Sequence, residues 1–80
     1  MVRLVEVNGY KIEAGADLRN ANLTGADLTD ATLTRANLTA ANLAYATLTR
    51  ANLEGAKLTD ANLTDAYLTA ATMPDGTIHD

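Results

Sequence analysis

A leucine recurs at every fifth residue, at Leu18, Leu23, Leu28, Leu33, Leu38, Leu43, Leu48, Leu53, Leu58, Leu63 and Leu68, and Met73 keeps the same phase. An alanine stands two residues before each, from Ala16 to Ala71. This spacing fits no single regular element. Five helical steps of about 100° leave successive leucines roughly 140° apart, so a helix would spread them around its axis. In a straight strand an odd spacing sends them to alternate faces. The leucines share one core only if the chain turns a corner in every repeat. The period therefore predicts a solenoid, with short sides, a bend per pentapeptide and coils stacked along an axis.

The other positions agree. Alanine beside leucine lets the walls approach closely. Asn or Asp usually follows the alanine, as at Asp17, Asn22, Asp27, Asn37, Asn42, Asn52 and Asn62. Such side chains bond to nearby backbone and tolerate unusual dihedral angles, so the bend is expected there. Thr follows most of the leucines, where its β-branch favours extended backbone and its hydroxyl can face water. The chain has no Phe and no Trp, which suits an interior too narrow for large rings. Leucine burial alone does not offset the entropy of ordering the backbone, so hydrogen bonds between coils and dense alanine packing must contribute.

Segments such as Ala21-Asn22-Leu23-Thr24-Gly25 and Ala26-Asp27-Leu28-Thr29-Asp30 give the pattern A-(D/N)-L-x-x. In these residues the chain resembles the pentapeptide repeat family, over roughly three quarters of its length. The resemblance implies an all-β fold, a right-handed quadrilateral β-helix with four repeats per coil and Leu and Ala inward. Twelve repeats over residues 16–75 then make about three coils. With about 4.8 Å between stacked strands, the rod is on the order of 15 Å long plus its caps. Charge placement favours the same twenty-residue stacking. It sets Asp30 against Arg50, whereas a fifteen-residue stacking sets Arg35 on Arg50 and Asp60 on Asp75.

A single domain, residues 1–80, is expected, with the array flanked by caps. Residues 1–15 form the N-terminal cap. Val2, Leu4, Val5 and Val7 make a β-prone run, Asn8-Gly9 is a hairpin turn signal, and Tyr10-Lys11-Ile12 resumes the run, with Ile12 plugging the core mouth. Residues 76–80 read as a degraded thirteenth repeat or C-terminal cap, with Ile78 in phase after a turn at Pro74-Asp75-Gly76.

Little in the chain points to chemistry. There is no Cys, hence no disulfide and no thiol nucleophile. His79 is the sole histidine and has no motif partner. The carboxylates are scattered around the faces, without a cleft to perturb them. No metal-binding or phosphate-binding loop occurs. No catalytic, cofactor-binding or metal residues are assigned, and no enzyme activity is expected. Asp30 with Arg50 reads as a surface ion pair between coils, and Asn22, Asn42 and Asn62 as a stacked column. Thr32-Leu33-Thr34 and Thr47-Leu48-Thr49 have the local form of an ice-binding row but fall on different faces. Tyr45 and Tyr67 are the aromatics of the array and could anchor a contact.

The expected function is a non-enzymatic structural or protein-interaction module, possible also as a consensus-like scaffold. The alternative implied by the resemblance is a DNA-mimicking protein that binds type II topoisomerases, as quinolone-resistance members do. Those members are generally longer and carry a continuous acidic face, whereas basic residues here stand on three of four faces. A net charge of −4 argues against direct binding to nucleic acid. No apolar run is long enough to span a membrane, and no leader pattern is seen, so a cytoplasmic protein is expected. Any partner would be a protein, and the chain would be a monomer or an end-to-end homodimer through an open last coil.

Overall fold

A computed structural model describes residues 6–80 of the chain. The expected contribution of Val2, Leu4 and Val5 to the N-terminal cap lies outside these residues. The array folds as a four-sided β-helix. Each pentapeptide forms one side, and the chain bends where one side meets the next.

The bend has a constant construction. The Leu carbonyl accepts a hydrogen bond from the Ala N–H three residues on, as from Ala21 to Leu18 (3.1 Å) and from Ala41 to Leu38 (2.9 Å). The second residue after each Leu takes positive φ. This holds at Asn20, Gly25, Asp30, Arg35, Ala40, Tyr45, Arg50, Gly55, Asp60, Asp65 and Ala70. A positive φ at the third place of a four-residue turn is what a type II turn requires.

The sequence reading put the unusual dihedrals at the Asn or Asp before Leu, and this needs correction. Those residues lie in the extended ladder, and the left-handed residue comes three positions later. Their side chains do bond to nearby backbone. Asn37 Oδ1 accepts from the Thr39 N–H (3.1 Å) and hydroxyl (2.6 Å), and Asn62 and Thr64 repeat the arrangement. The Asn or Asp thus clamps the first turn residue. The Thr hydroxyl is tied back to this clamp, and the Thr itself belongs to the turn.

Neighbouring layers pair in parallel at a register of twenty residues: Asp17 with Asn37, Asn22 with Asn42, Asp27 with Thr47 and Thr32 with Asn52, and onward to Thr72. Between the sides at 16–20 and 36–40, Asn37 N–H donates to Ala16 O (2.9 Å). Leu18 N–H donates to Asn37 O (2.8 Å), and Asn20 N–H to Thr39 O (3.0 Å). The corner residue's own amide therefore belongs to the ladder. Each side is too short to form a long strand, and its pairing is a single bridge between two corners. The leucines from Leu18 to Leu53 are at most 2% exposed, with alanines packed between them.

The N-terminal end is closed by a hairpin. Strand β1 (Glu6–Val7) pairs antiparallel with β2 (Tyr10–Lys11), with Val7 opposite Tyr10. Asn8 (φ 53°) and Gly9 (φ 82°) form the turn, and positive φ at both central residues is the type I′ pattern. The hairpin latches onto the side at 21–25. Asn8 Nδ2 donates to Asn22 O (3.1 Å), and Asn22 N–H donates to the Tyr10 hydroxyl (3.4 Å). Ile12 is buried against the core, in the place expected for a plug.

The C-terminal segment departs from the repeat. The turn at Pro74-Asp75-Gly76 forms, with Gly76 N–H donating to Met73 O (2.8 Å), but the left-handed residue is Gly76, one place later than the period demands. The chain then runs back antiparallel, pairing Ile78 with Thr72. Gly76 to Asp80 does not form a thirteenth repeat, and Ile78 is 62% exposed rather than in the leucine column. The Cα extents are 31 × 25 × 19 Å, so the solenoid is stubby.

Two stability predictions follow from this construction. Leu38→Ala, in the sealed interior, should destabilise by about 2–5 kcal/mol in denaturant unfolding, and Ile78→Ala by no more than about 0.5 kcal/mol. Ala40→Gly should stabilise by up to about 1 kcal/mol, because left-handed backbone costs an L-residue about 1–2 kcal/mol and Gly gives back part of that relief as chain entropy. A loss of stability in Ala40→Gly would contradict the corner analysis.

Candidate functional site

Two places on this surface differ from the regular wall. The first is a hollow of about 320 Å³ at the N-terminal end. Ile12, Glu13 and Ala14 of the linker form one rim, and the stretch from Asp27 to Thr32 forms the other. No residue pattern in the sequence marks it. It arises because the linker crosses the end of the coil without stacking on the side at 26–30, and no periodicity encodes that path.

The hollow contains carboxylates, but two of its three are already engaged. Asp27 Oδ1 accepts from the Thr29 hydroxyl (2.7 Å) and N–H (3.1 Å). The hydroxyl contact chiefly holds the Asp27 carboxyl below its ordinary range. Asp30 forms the expected ion pair with Arg50, at 2.8 Å and 3.3 Å, and that hydrogen bond lowers its pKa too. A general acid at neutral pH needs a raised carboxyl pKa, and these shifts run the other way. Elsewhere, Asp17 is lowered by its hydrogen bond from Arg19, and Asp75 by the Thr77 hydroxyl. Among the described residues no cluster of His, Cys, Asp and Glu could hold a metal ion. His79 is exposed, with its Nδ1 beside Asp80 O (2.8 Å).

The second place is the C-terminal end. In the last layer Leu58, Leu63, Leu68 and Met73 are only half-buried, unlike every leucine from Leu18 to Leu53. The ladder stops there as well. Leu58, Asp60, Leu63 and Asp65 carry N–H groups for which no described residue is the acceptor. The returning segment covers the last side and the corner before it, where His79 N–H donates to Ala71 O (2.8 Å), Met73 N–H to Thr77 O (2.7 Å) and Ala70 N–H to His79 O (2.9 Å). Open sheet edges beside exposed aliphatic side chains are ready to pair with further β-structure.

The two tyrosines of the array are both exposed, as surface tyrosines that could anchor a contact would be. Tyr67 pairs across the ladder with Thr47, and Tyr45 occupies the corner two residues before Thr47. The backbone thus brings them near one another on successive layers. The Asn22, Asn42 and Asn62 column also forms, each residue paired with the next. No described helix is long and apolar enough to cross a membrane.

A family model described as pentapeptide repeats matches in eight copies, over residues 14–43 and 36–73. Among solved structures the chain is similar to HetL, a pentapeptide repeat protein involved in heterocyst differentiation regulation in the cyanobacterium Nostoc sp. strain PCC 7120. The identity is 49% and the TM-score 0.80, covering 82% of this chain and 31% of that one. It is also similar to Rfr23, a pentapeptide repeat protein of the cyanobacterium Cyanothece 51142. There the identity is 39% and the TM-score 0.75, covering 84% of this chain and 46% of that one. This chain therefore spans about a third to a half of the length of these neighbours. None of the curated proteins compared with it matches. The neighbours establish the right hand of the helix.

The carboxylate contacts predict an acid response. A carboxyl whose folded pKa lies below its ordinary 3.8 stabilises the fold above that value, and the stabilisation is lost as pH falls through the folded pKa. The unfolding midpoint should stay flat from about pH 7 to about pH 5 and drop below about pH 4. Asp27→Asn together with Asp75→Asn keeps the clamp acceptor, as Asn37 shows, and should shrink the drop in thermal melts.

Proposed function

The chain belongs to the pentapeptide repeat family, and from that premise we propose that it is a non-enzymatic protein-interaction module that docks through its open C-terminal end. The observation behind this reading is the unfinished last layer. Its two bare sides, at 56–60 and 61–65, and the half-open side at 66–70 offer backbone donors and half-buried leucines together, the two things a β-layer from another molecule would satisfy. The carboxylates nearest to a concavity support the non-enzymatic part, because Asp27 and Asp30 are held ionised by Thr29 and Arg50.

The occupant we propose is a second copy. The opposite end is obstructed for head-to-tail stacking, since the hairpin latches onto Asn22 and Ile12 plugs the core, although the side at 26–30 stays uncovered. With one end obstructed, copies stack open end on open end, and a two-fold contact of this kind closes at the dimer without growing into a filament. HetL is involved in regulating heterocyst differentiation. A regulatory role for the present chain would be exercised by contact, and the dimer would present two sets of side faces to a further protein.

Sedimentation equilibrium tests this directly. The wild type should behave as a dimer that dissociates on dilution. Leu63→Lys alters a half-buried side chain at the open end whose long stem can carry the charge out to solvent, so it should keep the β-rich circular dichroism spectrum and sediment as a monomer. A wild type that stays monomeric across the concentration range, or a Leu63→Lys variant that stays dimeric, would overturn docking through this end.

A further inference from the structure

We propose that Asn8-Gly9 is a site of spontaneous covalent modification, at which loss of the Asn8 side-chain amide loosens the latch of the N-terminal hairpin on the solenoid. The reaction needs the backbone nitrogen of the following residue to reach the asparagine Cγ. Gly9 allows this better than any other residue of that kind in the array. Its N–H has no acceptor among the described residues, and the space where a side chain would stand is empty to 4 Å. Both turn residues are exposed.

The asparagines of the array are held differently. Each is followed by Leu or Ala rather than Gly. The following nitrogen is fixed in most cases: Leu23 N–H donates to Asn42 O (2.8 Å), Leu38 to Lys57 O (2.8 Å), Leu43 to Asn62 O (2.7 Å), Leu53 to Thr72 O (2.8 Å) and Ala21 to Leu18 O (3.1 Å). The side-chain oxygens of Asn22, Asn37, Asn42, Asn52 and Asn62 are engaged by the clamp two residues on. At Asn22, Asn37, Asn42 and Asn52 attack would break a ladder bond and a clamp together, while Asn20 keeps a turn bond and Asn62 a clamp. At Asn8 none of these restraints on the following nitrogen or the side-chain oxygen is present among the described residues.

The chemistry needs only water. The Gly9 nitrogen, having lost its proton to solvent base, bonds to Asn8 Cγ. The Cγ–Nδ2 bond breaks, and ammonia leaves with a proton from solvent. Water then opens the cyclic imide at either carbonyl, giving aspartate or isoaspartate at position 8. The departing nitrogen is the one that donates to Asn22 O at 3.1 Å. A carboxylate in its place cannot donate and faces a carbonyl oxygen. Isoaspartate also adds a backbone carbon to a two-residue turn whose register pairs Val7 with Tyr10. Either product removes the Asn8 contact and leaves the hairpin tied to Asn22 by the longer Tyr10 hydroxyl contact alone (3.4 Å), which weakens the latch at the Asn22 edge.

Incubation of the intact protein in mildly alkaline buffer, followed by peptide mapping and enzymatic isoaspartate labelling, tests the site. The expected result is loss of the Asn8 parent peptide ahead of every other asparagine peptide. Retention of Asn8 while any array asparagine converts, or no conversion at Asn8 at all, would overturn the assignment. Hydrogen exchange on Asn8→Asp tests the consequence separately. Loss of amide protection at Asn22 and Gly15, with protection kept at Leu38 and Leu43, is expected. Unchanged protection at Asn22 and Gly15 would overturn the loosening.

Discussion

Each corner of this solenoid depends on one residue held in left-handed backbone conformation. Most of these residues are not glycine: Arg35, Ala40, Tyr45 and Arg50 all take φ near 60°. Such a conformation is unfavourable for an L-residue in isolation. In the first two layers it is supported by an amide that belongs to the ladder, as where Tyr45 N–H donates to Thr64 O and Arg50 N–H to Thr69 O, whereas Asp60 and Asp65 of the last layer keep the angle without that bond. The turn bond from Leu to the next Ala fixes one flank, and the Asn or Asp clamp fixes the other. Local strain and the contacts between layers are therefore coupled, and a corner is stable to the extent that the layer after it is present.

That coupling separates the interior of the rod from its ends. An inner layer has its amides and carbonyls paired on both sides and its leucines sealed. The first layer borrows partners from the hairpin, which reaches Asn22 with one side chain amide and one hydroxyl. The last layer has a returning strand over its last side and the corner before it only, so Leu58, Leu63 and Leu68 stay partly open. A repeat architecture whose stability comes from neighbouring layers concentrates both weakness and opportunity for contact at its termini.

On the lateral walls several polar groups are satisfied locally: the Thr29 and Thr39 hydroxyls by Asp27 and Asn37, Asp17 by Arg19, and Asp30 by Arg50. A carboxylate satisfied in this way stays ionised and has little tendency to exchange protons near neutrality. The exposed ion pairs add little to stability, since solvent screens them. They do break up the negative charge, so the wall is not a continuous acidic stripe.

The five-residue phase of Leu and Ala by itself determined that the chain bends once per repeat and that these side chains point inward, and the Asn8-Gly9 pair between two β-prone runs determined the hairpin. Such features are local, because spacing and turn chemistry lie within a few residues of each other. The twenty-residue register was only hinted at by Asp30 and Arg50, since stacking brings together residues that no local pattern connects. Tertiary structure also decided which residue adopts the left-handed angle. The preference of Asn and Asp pointed to the place before Leu, but the ladder claims that place as extended chain and moves the bend to Arg35, Ala40 and Tyr45, whatever their own preferences. It decided the two ends too: Ile78 kept the phase in sequence yet lies outside, because Gly76 delays the turn by one residue and a one-residue delay sends the chain back along the edge instead of around the core.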